Sequence, residues 1–138
     1  MDALVAAFNR GSLDVPAGFF APQTSFTLND RSYETILGGS PDDPLIRLLA
    51  RGVGGYRTAA RALQYALQQP IVTVETLSDP DDHDAGVATL RVEGQLRDSN
   101  EHFVGRCLVK LRCANAALAE VRVSCSPDDL ARIVSARQ

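Results

Sequence analysis

Gly86-Val87-Ala88-Thr89-Leu90-Arg91-Val92-Glu93-Gly94-Gln95-Leu96-Arg97 alternates apolar and polar side chains, and two further runs after it do the same. In this first run Ala88, Leu90, Val92 and Leu96 share one face, and Thr89, Arg91, Glu93, Gln95 and Arg97 share the other. Across residues 102–113, Phe103, Cys107, Val109, Leu111 and Cys113 point one way, and His102, Arg106, Lys110 and Arg112 the other. Across residues 117–125, Ala117, Ala119, Val121, Val123 and Cys125 are assigned to the core, with Glu120, Arg122 and Ser124 outside. Asp98-Ser99-Asn100 and Ala114-Asn115-Ala116 supply the turns. A period of two repeated over neighbouring segments means an antiparallel meander with one covered face.

Upstream, Ile71–Leu77 is rich in β-formers and Asp79-Pro80-Asp81-Asp82-His83-Asp84 is a turn. Before Pro70 the period becomes 3.6. Tyr56, Ala59, Ala60, Leu63, Ala66 and Leu67 make an amphipathic stripe, which predicts a helix from Gly55 to Gln68. Ser40-Pro41-Asp42-Asp43-Pro44 is rich in capping residues and opens another helix. Its apolar face is Leu45, Leu48 and Leu49, and Gly52, Gly54 and Gly55 are expected to break it. Ser25–Leu28 and Arg31–Ile36 flank Asn29-Asp30, a hairpin signal. Residues 2–9 form a short helix, and residues 12–24 are loop-like and contain Phe19-Phe20. Ser126-Pro127-Asp128-Asp129 caps a last helix striped by Leu130, Ile133 and Val134. A run of helices followed by a run of strands predicts an α+β fold: a curved antiparallel sheet wrapped around N-terminal helices, with a short C-terminal helix.

The chain of 138 residues is long enough to bury a core, and residues 1–138 are read as a single domain. Hydrophobic residues make up 45% and charged residues 22%, which excludes wholesale disorder. No stretch approaches the roughly 20 apolar residues of a membrane span. The N-terminal apolar run is short and preceded by Asp2, unlike a signal peptide. A net charge of −3 argues against a nucleic-acid binder. Cys107, Cys113 and Cys125 lack metal-site spacing and are read as buried thiols, so a cytoplasmic location is expected. No cofactor and no metal is expected; the acidic turn at Asp79–Asp84 reads as solvated loop.

The order of elements resembles the nuclear-transport-factor-2-like superfamily, the cystatin-like cone that includes ketosteroid-isomerase-like and SnoaL-like proteins. The resemblance rests on the early helix, the hairpin at Phe26–Ile36, the helix Gly55–Gln68 and the meander from Ile71 to Cys125. It implies a cone-shaped pocket between helices and sheet, and often a homodimer through the outer sheet face. It carries no catalytic residue over. Catalytic relatives place a tyrosine and carboxylates inside the cone, whereas the core-facing strand positions here hold no Asp, Glu, His or Tyr.

Three functional readings follow. The first is a small-molecule-binding or dimerisation module with an apolar pocket, lined by candidates Asp30, Tyr33, Tyr56, Tyr65, Phe19 and Phe20. The second is an isomerase, dehydratase or cyclase acting on a small apolar, steroid-like or polyketide-like substrate, with its acid or base drawn from Asp30, Tyr33, Tyr56 or Tyr65. The third is an anion- or nucleic-acid-binding module using Arg47, Arg51, Arg57 and Arg61, a stretch with no acid between Leu45 and Gln69. Arg91, Glu93, Arg106, Lys110, Arg112, Glu120 and Arg122 form a wide polar face that no helix is left to cover. These are the candidates for a two-fold interface. His102 and His83 are read as surface residues.

Overall fold

The computed structural model describes residues 2–40, 42–78, 85–114 and 117–136. The acidic turn 79–84 and its His83 lie outside the described residues. The elements are α1 (Asp2–Asn9), β1 (Phe20–Leu28), β2 (Arg31–Ser32), α2 (Tyr33–Ile36), α3 (Pro44–Ala50), α4 (Gly52–Ala66), β3 (Leu67–Ser78), β4 (Ala85–Leu96), β5 (His102–Ala114), β6 (Ala117–Cys125) and α5 (Pro127–Ala136). One six-stranded sheet runs in the order β2-β1-β6-β5-β4-β3. The fold is the α+β cone expected from the meander, with one addition: β1 pairs with β6 in parallel.

The meander strands pair antiparallel, and the inner face carries the residues the alternation assigned up to Cys113. The phase then slips. Arg112 pairs with Glu120 but Cys113 pairs with Leu118, so Ala119 is the extra residue of a β-bulge. Leu118 is therefore buried, and Ala117 and Ala119 are not the core positions the alternation indicated. A strict period of two cannot register an inserted residue.

Three other boundaries differ from the sequence reading. β1 begins at Phe20, so the loop ends earlier than expected. The hairpin turn forms with Asn29 and Asp30 at φ 49° and 66°, but β2 lasts two residues. Ser32 then caps the short α2, accepting from the Thr35 amide, and this diverts the second arm into a helical turn. Leu67 to Pro70 belong to β3, not to the preceding helix. Pro70 is tolerated because β3 is an edge strand, and the ladder with β4 breaks between Gln68 and Ile71.

Gly54 and Gly55 do not break a helix. They sit within α4, where a Cβ would meet the Leu48 carbonyl oxygen at 1.8 Å and the Phe26 ring at 2.6 Å respectively. Glycine is what lets α3 and β1 approach α4 this closely. The free edge of β3 is met by Asn9, whose amide donates to the Val72 carbonyl at 2.9 Å and accepts from the Val72 amide at 2.8 Å. Arg51 donates through Nε to the buried carboxylate of Glu34 at 2.6 Å and ties α2 to the α3–α4 junction. Leu45, Leu48 and Leu49 are not the packed face of α3. They are exposed, and Ala50 is the buried residue.

Candidate functional site

The inner face of the sheet carries two packed clusters. At the closed end Phe8, Ala60, Ala66, Leu67, Val72, Val92, Leu96, Phe103 and Ala136 pack together, joined by Ile133 of α5. At the open end Phe26, Val109, Leu118 and Val121 are flanked by Phe19, Phe20, Tyr33, Leu111, Cys113 and Val123. Tyr56 and Leu90 touch both. The open end is where the candidate site lies.

Its centre is a chain of rings. Phe19 meets Phe20 edge-on at 4.9 Å, Phe20 stacks on Tyr56 at 5.7 Å, and Phe26 stacks on Tyr33 at 5.2 Å. Phe20 and Phe26 join the two halves at 5.6 Å. The resemblance implied an apolar pocket here, and these packed rings stand at that place. The shallow concavities lie elsewhere on the surface, one on the outer sheet face at Lys110, Arg112, Glu120 and Arg122, and one between Asp98–Glu101 and α5.

Among the six pocket candidates, Phe19, Phe20, Tyr33 and Tyr56 are brought together and two are not. Tyr65 is 65% exposed. It follows Tyr56 by nine residues, about two and a half turns, so it leaves the helix on the opposite side. Asp30 is exposed on the hairpin turn, where its charge acts on Arg122 of β6 instead of on the cone.

The Tyr56 hydroxyl is enclosed and has no hydrogen-bond partner among the described residues. Burial raises its pKa, and Arg57 beside it works the other way. Burial pushes the Tyr33 phenol up to about 12, with the neighbouring Cys107 and Cys125 adding to it. Both phenols are therefore neutral donors at ordinary pH. Cys107 is pushed up to about 12 by burial, by Cys125 and by Asp129. It is a protonated thiol near neutrality, not a ready nucleophile.

The site also contains residues that the sequence reading passed over. Asn29 spans from the hairpin turn to β6, its side chain accepting from the Cys125 amide at 2.9 Å. Asp129 was read only as a capping residue. Its carboxylate lies over Gly105 on the inner face and acts electrostatically on Cys107 and Cys125. The available signal was its spacing: Asp129 precedes the packed Ile133 by one helical turn, so the two share a face. Among the described residues no group of three His, Cys, Asp or Glu side chains could hold a metal ion.

Two of the four arginines of the stretch are engaged within the chain, while Arg47 and Arg61 are exposed. Arg51 is committed to Glu34, and Arg57 donates to the Leu13 carbonyl at 3.3 Å. On the outer sheet face Arg106 pairs with Glu75 at 2.8 Å, Arg112 with Glu120 at 3.2 Å, Arg122 with Glu120, and Arg91 with Glu93 at 3.4 Å. His102 is exposed and lies 3.8 Å from Glu93. Two like-charged pairs, Lys110 with Arg122 and Arg91 with Arg106, sit directly opposite one another. Val87, Val104 and Leu108 share this outward face, and Leu108 is 38% exposed. None of the described helices is long and apolar enough to cross a membrane.

The backbone matches solved structures of the cone class. TsrD from Streptomyces laurentii superposes with a TM-score of 0.69 at 17% identity, over 99% of this chain and 92% of that one. IdmH, a candidate polyketide cyclase from Streptomyces antibioticus, gives 0.65 at 14% identity over 97% and 94%. A candidate SnoaL-like polyketide cyclase from Jannaschia gives 0.63 at 13% identity over 98% and 88%. These likenesses establish the fold: this chain has the cone shared by SnoaL-like, ketosteroid-isomerase-like and nuclear-transport-factor-2-like proteins. No protein-family model matches the chain, and no curated protein matches it by sequence.

Proposed function

We propose that this protein binds a small, largely apolar molecule bearing a carbonyl or hydroxyl oxygen, at the open end of the cone, by displacing Phe20 from Tyr56. The observation that carries the reading is the buried Tyr56 hydroxyl, without a partner among the described residues, on a ring that stacks against Phe20. A buried donor without an acceptor is a standing cost of about 1–3 kcal/mol, and a ligand oxygen would relieve it. Phe19 and Phe20 are the movable wall. They open β1, and Phe19 is held by its carbonyl to the Leu118 amide and by its amide to the Pro16 carbonyl. The fold neighbours described as polyketide cyclases support a polyketide-like ligand.

α-Tetralone, a bicyclic aryl ketone, is the probe. Its titration should shift the NMR signals of Phe20, Phe26 and Tyr56. Tyr56→Phe should weaken binding by about 2–10-fold, the worth of one hydrogen bond. Shifts confined to the surface grooves would overturn the reading.

A catalytic version of this site rests on Asp129, the carboxylate on the inner face beside Tyr33's thiol neighbours. A carboxylate base and neutral phenol donors on one inner face are the groups needed to move a proton next to a carbonyl. Faster deuterium exchange at the α-carbon of tetralone, lost in Asp129→Asn, supports it. Binding without faster exchange leaves the module non-catalytic.

The assembly proposed with this reading is a homodimer through the outer sheet face, with Val87, Val104 and Leu108 at the centre and the ion pairs as rim. About 800 Å² per partner is the scale required. Since Arg106 and Arg112 already hold acids within the chain, Leu108→Glu is the cleaner disruption. Light scattering should show a dimer at tens of micromolar and a monomer for the variant; a wild-type monomer rejects the assembly.

A further inference from the structure

Cys107 and Cys125 are direct partners across the antiparallel pair β5–β6, and both face into the cone. The ladder also defines the kind of position they occupy. The Cys125 amide is satisfied by Asn29, and the Val123 carbonyl accepts from the Asn29 amide at 2.8 Å, so this stretch of β6 aims its backbone groups toward β1 and away from β5. Cys107 and Cys125 therefore form a non-hydrogen-bonded pair, the closer of the two antiparallel types. In pairs of this type the Cα atoms lie about 4.5 Å apart. A disulfide spans Cα separations of roughly 4.4–6.8 Å, so this pair can be bridged at the short end of the range without moving either strand away. Cys113, the third thiol, faces Leu118 instead.

We propose that Cys107 and Cys125 are a peroxide-responsive dithiol that closes into a reversible cross-strand disulfide. The roles of the two sulfurs differ. Cys125 is the less buried, receives a contact from the Asn29 amide nitrogen at 4.0 Å and accepts a hydrogen bond from the Cys107 thiol. These contacts favour its thiolate, so Cys125 is oxidised first. Its sulfur attacks one peroxide oxygen, the O–O bond breaks, and a sulfenic acid forms as water or an alcohol leaves. The Cys107 sulfur then attacks the sulfenic sulfur. The S–S bond forms, the S–O bond breaks, and the oxygen departs as water with the Cys107 proton. The sum is two thiols and one peroxide giving one disulfide and two oxygen-bearing leaving molecules, each protonated. Burial makes both thiols slow, which sets the response to sustained peroxide and not to traces. Thiol reductant reopens the bridge by thiolate attack on one of its sulfurs.

The test is thiol counting and peptide mapping on the intact folded protein. Millimolar hydrogen peroxide should lower the denatured thiol count from three to one. Trypsin should then release Cys107–Lys110 joined to Val123–Arg132, while Cys113 remains in its own peptide as a thiol. Dithiothreitol should restore three thiols. Cys113→Ser should leave the bridge intact, and Cys107→Ser should trap a dimedone-reactive sulfenic acid at Cys125. The same oxidation in concentrated urea should lose the pairing preference and favour Cys107 with Cys113, its nearer neighbour in the chain. Three thiols persisting in the folded protein, or a native bridge through Cys113, overturns the proposal without requiring any variant to fold.

Discussion

The two ends of the cone are built from the same strands and differ in what they leave unsettled. At the closed end Leu67, Ala66 and Ala60 are enclosed by aliphatic neighbours and Phe103, and the polar contact there is backbone or the Asn9 clasp on Val72. At the open end Phe20, Phe26, Tyr33 and Tyr56 form one chain of rings, the Tyr56 hydroxyl has no partner among the described residues, and the Cys107–Cys125 pair, on which Asp129 acts, lies near enough to Tyr33 to act on its phenol. The first region contributes stability. The second holds groups that folding alone does not require, and the proposed binding site rests on them.

The largest effect that tests this contrast is a truncation at each end. Leu67 is fully enclosed, and Leu67→Ala should cost about 3–5 kcal/mol, the upper part of the range for buried leucine. Leu111 lies on the inner face at the open end and is only partly buried. Leu111→Ala should cost less, about 2 kcal/mol, because its environment can relax. Urea unfolding measures both. Equal losses would mean that the two ends are one uniformly packed core.

Alkaline pH is the next probe, because the groups with raised pKa sit at the open end. In the folded protein Tyr33 holds its proton to about 12 against an ordinary 10.0, and Cys107 to about 12 against 9.0. The unfolded chain releases these protons first. Their contribution is whole below pH 9 and is lost as pH rises through the folded values, so the urea midpoint should fall between pH 9 and 12. Tyr33→Phe combined with Cys107→Ala should flatten that decline. A decline unchanged in the double variant would assign it to other groups.

The architecture was legible in the sequence because burial of one sheet face imposes a period of two, and burial of one helix face imposes 3.6. What escaped were features set by contacts between elements. The bulge at Ala119 depends on how β6 meets β5 and β1. α2 depends on Ser32 finding the Thr35 amide. Tyr33 and Tyr56 were legible as residues that pack with the Phe19-Phe20 segment, but Tyr65 shares only their residue type, and its helical phase points it outward. Asp129 and the Cys107–Cys125 pair were missed for a related reason. Asp129 has an adequate local role as a helix opener, and the partnership of two cysteines eighteen positions apart exists only in the register of the sheet.

The smallest effect carries the sharpest meaning. Tyr56→Phe removes one oxygen from a place where it has no partner among the described residues. At the closed end every comparable deletion loses packing, so each should destabilise. Here the ring that stacks on Phe20 is retained, and only a desolvated, unsatisfied hydroxyl disappears. Removing an orphan polar group is neutral or stabilising, so the urea midpoint should rise by the equivalent of up to about 1 kcal/mol with an unchanged slope. The same substitution should weaken tetralone binding, since the phenol is the donor that the ligand oxygen meets. Opposite signs for stability and affinity from a single atom are what a binding group under selection for function produces. A loss of 1 kcal/mol or more in stability would show that the hydroxyl is partnered in the free protein. The open end would then be ordinary core, and the distinction between the two ends would disappear.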